Sequence, residues 1–151
     1  MSAEGAGSSL EDLAARPAWR MRTIFERKIM AAYRDTYRGE LGAAQVEALE
    51  VLWQEGKMRQ QDLADALRTS KQHVSKIVGR LEELGLAGLA PDEEDGRCHW
   101  IFLTEEGRAF VAHHIQEGEE RIAALLSSLT GQERAELDQA METVARLLEK
   151  A

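Results

Sequence analysis

The chain has 151 residues, a length typical of one domain, with 44% hydrophobic and 30% charged residues, as in folded globular proteins. A single cysteine excludes an internal disulfide framework and a cysteine-rich zinc site. No apolar run approaches the roughly 20 residues of a membrane span, and Met1 to Ser9 lack the basic and apolar regions of a secretory signal. These features predict a cytoplasmic protein without a membrane partner.

The net charge of −8 disfavours nucleic acid as a partner, but the charges are unevenly distributed. Salt screens charges beyond about 10 Å, so attraction to phosphate depends on the local surface. Residues 57–80 form a basic segment between two acidic ones, and this segment alone is compatible with DNA binding. Its cations are Lys57, Arg59, Arg68, Lys71, Lys76 and Arg80, and its acids are Asp62 and Asp65.

The first predicted elements are a flexible tail over residues 1–16 and a helix over residues 17–38. A second helix of about ten residues follows and ends at Gly56, because glycine commonly terminates helices. In the first helix, apolar residues recur at four-residue spacing: Met21, Phe25, Ile29 and Tyr33.

Two short helices joined by a tight turn are predicted next, at about 60–67 and 71–84. Thr69 to Gln72 has the T-x-x-Q form of a capping box, which predicts where the second of them begins. Two short apolar runs on either side of a polar turn, Pro91 to Gly96, predict a β-hairpin within residues 86–103.

A long helix is predicted from Thr104 to Leu129, and the capping box Thr130 to Glu133 predicts a separate final helix. The apolar stripes at the two ends of the chain exceed what a small domain buries, so a second copy is the predicted partner. Packing of the two ends on one another within a monomer is the alternative. The stripe of the final helix consists of Leu137, Met141, Val144 and Leu148.

Two short helices followed by a hairpin place the start of the second helix in the major groove of DNA. Gln72 suits adenine, Lys71 and Lys76 suit guanine or phosphate, and Arg97 at the hairpin tip suits the minor groove. A polar, solvated helix face is the alternative interpretation. The predicted DNA contacts are Ser70, Lys71, Gln72, His73, Ser75, Lys76, Arg80 and Arg97.

Several of these segments, taken in order, resemble the MarR family of bacterial transcriptional regulators over about residues 17–150. The motifs that carry the resemblance are Leu63-Ala64, the run from Ser70 to Leu86, Pro91-Asp92, Asp95-Gly96-Arg97, and LTEEGR at 103–108.

The resemblance implies a mainly α fold with a small β-hairpin wing. Residues 39–104 would form a winged helix-turn-helix DNA-binding domain, flanked by dimerisation helices at 17–38 and 105–151. It further implies a homodimer that binds a palindromic operator in double-stranded DNA. Such a protein is expected to be a repressor that a small, often aromatic effector releases.

The wing departs from the family pattern. Gly96 stands where a second basic residue often precedes Arg97, and the wing carries four acids, Asp92 to Asp95, that oppose phosphate. Asp95 is expected to pair with Arg97 and orient it. Gly79 costs the recognition helix up to about 1 kcal/mol relative to Ala. We therefore expect weaker, more salt-sensitive DNA binding than a fully basic wing gives.

Other singular residues suggest inputs to a regulator. Cys98 is a candidate oxidation sensor, although an incidental thiol is the favoured interpretation. His113 and Glu117 have i,i+4 spacing, next to His114, but two ligands do not make a metal site, so no metal or cofactor is predicted. Arg20 and Arg22 are candidates to bind an effector carboxylate, but the effector-binding residues remain unknown.

No nucleophile constellation, phosphate loop or dinucleotide fingerprint indicates an enzyme. The rival function is a winged-helix module that has lost DNA binding and whose acidic wing docks on a protein. A regulator switched by a metal or a thiol is a third hypothesis.

Overall fold

Helices dominate the computed structural model, which describes residues 9–34, 36, 39 and 41–151. The chain divides into two compact units: residues 1–32 with 118–151, the terminal-helix unit, and residues 33–117, the winged unit. Among the described residues, no helix is both long and apolar enough to cross a membrane. The elements in chain order are α1 (Leu10–Ala14), α2 (Pro17–Phe25), a π turn (Glu26–Met30), α3 (Ala31–Arg34), α4 (Ala43–Glu55), β1 (Met58–Arg59), α5 (Gln60–Ala66), α6 (Lys71–Glu83), β2 (Ala87–Pro91), β3 (His99–Leu103), α7 (Glu105–Leu125), a 3-10 turn (Leu126–Ser128) and α8 (Gly131–Leu148).

Aliphatic side chains from α4, α5, α6, the strands and α7 form the core of the winged unit. On α6, Val74, Ile77 and Val78 are buried, as predicted. Their spacing of three and four residues places them on one side of the helix, so the opposite side is left to solvent. The largest fully buried side chains are Leu49, Leu52, Leu63, Leu81, Ile101, Val74 and Val111.

The strands of the described chain form an antiparallel sheet in the order β1-β3-β2. The hairpin predicted within residues 86–103 is confirmed, with Leu89 opposite Ile101 in β2 and β3. Strand β1, which pairs Met58 with Ile101, is not predicted from the sequence. It has two residues, too few to show the alternation that marks a strand. The predicted fold, mainly helical with a small hairpin wing, is confirmed.

The N-cap of α6 lies one residue after the predicted one. Ser70, not Thr69, is the N-cap, and its Oγ accepts the backbone N–H of His73 at 3.2 Å. The N–H of Thr69 instead donates to the carbonyl of Ala64 at 2.9 Å, which keeps Thr69 in the turn that ends α5. Arg68, with φ of 52°, makes that turn. The T-x-x-Q pattern is therefore present without its predicted role.

The entry into α7 depends on one glycine. Thr104 Oγ1 donates to the carbonyl of Gly85 at 2.6 Å and accepts the N–H of Gly107 at 3.0 Å. A Cβ on Gly107 would lie 1.9 Å from the carbonyl oxygen of Leu86. A side chain at this position is therefore incompatible with the approach of α7 to the end of the helix-turn-helix.

The predicted tail over residues 1–16 is wrong in part. Leu10–Ala14 form α1, which begins with a capping box between Ser9 and Asp12. Polar N-cap chemistry thus starts a helix inside a segment whose composition resembles a tail. Residues 1–8 lie outside the described part of the chain.

The terminal helices also differ in detail from the prediction. The helix predicted over 17–38 is interrupted by the π turn, and residues 35, 37 and 38 lie outside the described set. The long helix predicted to Leu129 ends at Leu125 and continues as the 3-10 turn. The capping box at Thr130 is confirmed, with mutual hydrogen bonds to Glu133. The predicted domain boundaries at 16, 38 and 104 remain predictions.

Candidate nucleic-acid interface

The N-terminal half of α6 presents a polar, basic surface. Lys71, Gln72, His73, Ser75 and Lys76 are all exposed, and Val74 between them is buried. Burial on the opposite side fixes the rotation of the helix, so these side chains point outward as a set. The N-terminus of a helix carries a partial positive charge, which adds to the two lysines. The structure therefore brings the predicted α6 residues together on one exposed face.

Gln60, which belongs to no sequence motif named above, positions this face. Its Nε2 donates to the Lys71 carbonyl at 3.0 Å and to Ser75 Oγ. Ser75 Oγ in turn donates to the Lys71 carbonyl at 3.1 Å. The hydroxyl predicted to read bases is thus already bonded within the chain, and it links α6 to the first residue of α5. Only the position of Gln60 at the start of the first short helix signals this role.

Arg80, predicted to contact phosphate, lies near the end of α6. Its Nη1 is 3.0 Å from Glu83 Oε2, in an exposed pair on the same helix. Exposed pairs of this kind contribute about 0–1 kcal/mol and are screened by salt. The pair therefore competes only weakly with a phosphate for Arg80.

The wing loop, defined here as residues 92–98, holds the Arg97 side chain in solvent. The predicted pairing of Asp95 with Arg97 is made at the backbone, where Asp95 Oδ1 accepts the Arg97 N–H at 3.0 Å. Within the described residues, the Arg97 guanidinium makes no ion pair. Asp95 therefore shapes the loop and leaves the charge of Arg97 available.

Asp92 corrects the expectation that every wing acid opposes phosphate. Its side chain is only 5% exposed, and its Oδ2 lies 2.6 Å from Arg59 Nη2. The backbone N–H of Glu94 and the charge of Arg59 lower the pKa of Asp92, although burial acts in the opposite direction. Its negative charge is thus balanced within the chain, whereas Glu93 and Glu94 remain exposed.

The structure gives little support to a switch at Cys98, His113 or His114. The hydrogen bond from the Cys98 thiol to Asp95 raises the pKa of Cys98, which disfavours the reactive thiolate. His113 Nε2 is 4.0 Å from Glu117 Oε2, and no group of three potential metal ligands occurs among the described residues. His114 is buried, with its ring centroid 4.3 Å from that of Phe110. It packs as a core residue.

The candidate effector residues on α2 are both exposed. Arg22 lies 3.2 Å from Glu26 and stacks over the Trp19 ring at 5.0 Å. Its guanidinium is thus held by neighbours on its own helix. Arg20 and Arg22 remain candidate contacts for an effector.

Comparisons with known proteins agree with this geometry. Residues 41–97 match the model of the MarR family. The chain is 23% identical to the HTH-type transcriptional regulator YfiV of Bacillus subtilis over 112 residues, 74% of this chain and 70% of the relative.

Among solved structures, wild-type MarR from E. coli in its apo form superposes with a TM-score of 0.71 at 20% identity, covering 85% of this chain and 96% of MarR. Bordetella bronchiseptica BpsR, whose DNA binding is regulated by 6-hydroxynicotinic acid, superposes with a TM-score of 0.57 at 23% identity. The alignment covers 85% of this chain and 97% of BpsR. At these identities the structural likeness shows the winged-helix fold.

Proposed function

We propose that the chain is a transcriptional regulator of the MarR family, a homodimer that binds a palindromic DNA operator and represses transcription until a small effector releases it. The observation that carries the proposal is the exposed face of α6. There, two lysines, Gln72 and His73 surround the start of the helix, while the opposite side is fixed by burial.

Each part of this surface has a distinct role in the proposal. Lys71, Lys76 and Arg80 contact phosphates, which supplies most of the affinity and makes it depend on salt. Gln72 and His73 reach base edges in the major groove, where a helix fits and each base pair is distinguishable. Arg97 enters the neighbouring minor groove from the wing.

Dimerisation is supported by apolar side chains that the single chain leaves in solvent. In the described chain, α2 and α8 contain no buried residue. Such a large apolar surface is unusual for a monomer and is typical of an interface. Its most exposed members include Trp19, Met21, Ile24, Phe25, Met141, Val144, Leu147 and Leu148.

Release by an effector would act through the dimer. Two recognition helices must enter the major groove about one helical turn apart, so a ligand that favours another spacing lowers DNA affinity. The regulation of BpsR by 6-hydroxynicotinic acid supports an aromatic acid as a class of effector to test.

The test is binding of the purified protein to the DNA that flanks its own coding region, over a salt series. We expect a steep loss of affinity with salt, because several phosphates are neutralised, and a marked weakening in the Lys71→Ala, Arg97→Ala variant. A matched control, Arg108→Ala with Lys150→Ala, removes the same charge from exposed positions outside the predicted interface. It should bind like the parent.

The rival function, an acidic wing that docks on a protein, predicts a different result. Parent, variant and control would then bind a random-sequence duplex equally weakly, and no operator would be enriched from genomic DNA. That outcome would refute the regulator proposal.

A further inference from the structure

We propose that Arg59 and Asp92 form a positioning pair that holds the wing loop in the conformation from which Arg97 reaches DNA. This inference rests on the proposed DNA-binding function. It concerns two residues that contact each other rather than nucleic acid.

The pair connects strands that are not neighbours in the sheet. Arg59 is the last residue of β1, and Asp92 directly follows β2, with β3 between them. Trp100 of β3 is opposite Arg59 on one side and Ala90 on the other. The 2.6 Å contact from Arg59 Nη2 to Asp92 Oδ2 therefore spans all three strands at the base of the wing.

The guanidinium of Arg59 makes two contacts within the chain, an ion pair and a stacking contact through its planar face. Its guanidinium carbon lies 5.1 Å from the centroid of the Trp100 ring while an Nη atom contacts Asp92. Lys57 Nζ lies 5.0 Å from the same ring. A guanidinium engaged in both ways is fixed in orientation, which suits holding a loop better than searching for a phosphate.

Asp92 carries the constraint into the wing loop. Its N–H donates to the Cys98 carbonyl at 2.9 Å, and its Oδ1 accepts the Glu94 N–H at 3.0 Å. Asp95 continues the network by accepting the N–H groups of Arg97 and Cys98. Asp92 thus closes the loop at both ends, and Arg59 holds Asp92 in place.

Charge removal at two neighbouring acids separates positioning from simple electrostatics. Glu93→Gln and Asp92→Asn each remove one negative charge from the wing, and Glu93 is exposed whereas Asp92 is buried. If only charge mattered, both variants would bind DNA more tightly. We expect Glu93→Gln to bind a random-sequence duplex at low salt as tightly as the parent or more so, and Asp92→Asn to bind about tenfold more weakly.

Three further variants test the pair itself. Arg59→Gln should weaken binding about as much as Asp92→Asn, and Arg59→Lys should restore only part of the loss, because it keeps the charge but not the planar guanidinium stacked on Trp100. Arg97→Ala should cost much less in the Asp92→Asn background than in the parent, because the guanidinium is already misplaced there. The inference would be overturned if Asp92→Asn bound DNA more tightly than the parent. It would also be overturned if Arg97→Ala lowered the affinity by the same factor in the Asp92→Asn background as in the parent.

A measurement without DNA separates this inference from the proposed function. Hydrogen exchange at the amides of Glu94, Arg97 and Cys98 should be faster in the Arg59→Gln, Asp92→Asn double variant, which avoids an unpaired buried charge. The β2–β3 ladder should exchange as in the parent. If these amides exchange at the parent rate, the inference is wrong even where the parent binds DNA. If they exchange faster but the parent binds no duplex, the proposed function fails and the structural role of the pair stands.

Discussion

His114 is a buried imidazole on α7, and the structure disfavours its protonation. Burial lowers the pKa of His114, the neighbouring His113 lowers it further, and Glu117 and the backbone of Thr36 oppose the shift. The unfolded chain therefore binds the proton more readily than the folded chain.

It follows that stability is lost as the pH falls below the ordinary histidine pKa, near 6.5. We expect His114→Gln to show a flatter dependence of unfolding free energy on pH between about 7 and about 5. Urea unfolding at several pH values measures this. His99→Gln, at an exposed position on β3, is the control. Equal pH dependence of the parent and His114→Gln would contradict the assignment.

Gln60 is a second residue with a measurable role. Removing its amide in Gln60→Ala breaks the bonds that join α5 to Lys71 and Ser75, so we expect a loss of about 0.5–1.5 kcal/mol in unfolding free energy. The adjacent Gln61 bonds only Asp65 of its own helix in the described chain, so Gln61→Ala should cost less. The reverse order of the two costs would show that Gln60 does not join the helices.

For single residues, the sequence predicts the face of a helix on which a side chain lies better than the contacts that the side chain makes. The α6 residues are exposed as a set because helical spacing alone separates them from Val74 and Ile77. The burial of Asp92 could not be predicted, because its partner Arg59 lies 33 positions away on a strand too short to recognise. The use of Ser75 within the chain likewise depends on a tertiary contact.

Two glycines illustrate how the helices are constrained. Gly107 in the first turn of α7 lies against the Leu86 carbonyl, and an added Cβ would meet that oxygen at 1.9 Å. Because the obstacle is backbone, relief requires a shift of the whole helix. We expect Gly107→Ala to lower the unfolding free energy by about 1–3 kcal/mol, measured by urea unfolding.

Gly79 in α6 makes the opposite case. A Cβ added there meets no atom within 4 Å, and the backbone is helical. We expect Gly79→Ala to raise stability by up to about 1 kcal/mol, because alanine loses less conformational freedom in a helix. A destabilised Gly79→Ala, or an unaffected Gly107→Ala, would contradict the packing described for these helices.

Elements with local signals are predictable, and those fixed by distant contacts are not. The hairpin and the cap at Thr130 follow from turn residues and from a side chain that bonds its own helix. Strand β1 exists only because β3 pairs with it. The π turn that interrupts the N-terminal helix has no counterpart in the four-residue apolar spacing.

The whole molecule is proposed to be a dimer because the terminal helices expose their apolar stripes. Met141 is 40% exposed and Val144 37% exposed on α8. We expect the parent to sediment as a dimer and Met141→Glu, Val144→Glu to dissociate, since charges would be buried in the interface. Glu142→Gln, between them, should remain dimeric. A monomeric parent at micromolar concentration would contradict this arrangement.

DNA recognition by α6 is tested most directly by selecting duplexes from random DNA with the purified protein. We expect enrichment of an inverted repeat whose half-sites lie about one helical turn apart, read by α6 from each copy. Gln72→Ala should then relax the preference at one base pair of each half-site while leaving the spacing unchanged. If no sequence is enriched over the starting pool, α6 is not the recognition helix. If Gln72→Ala selects the same motif as the parent, Gln72 does not read a base pair.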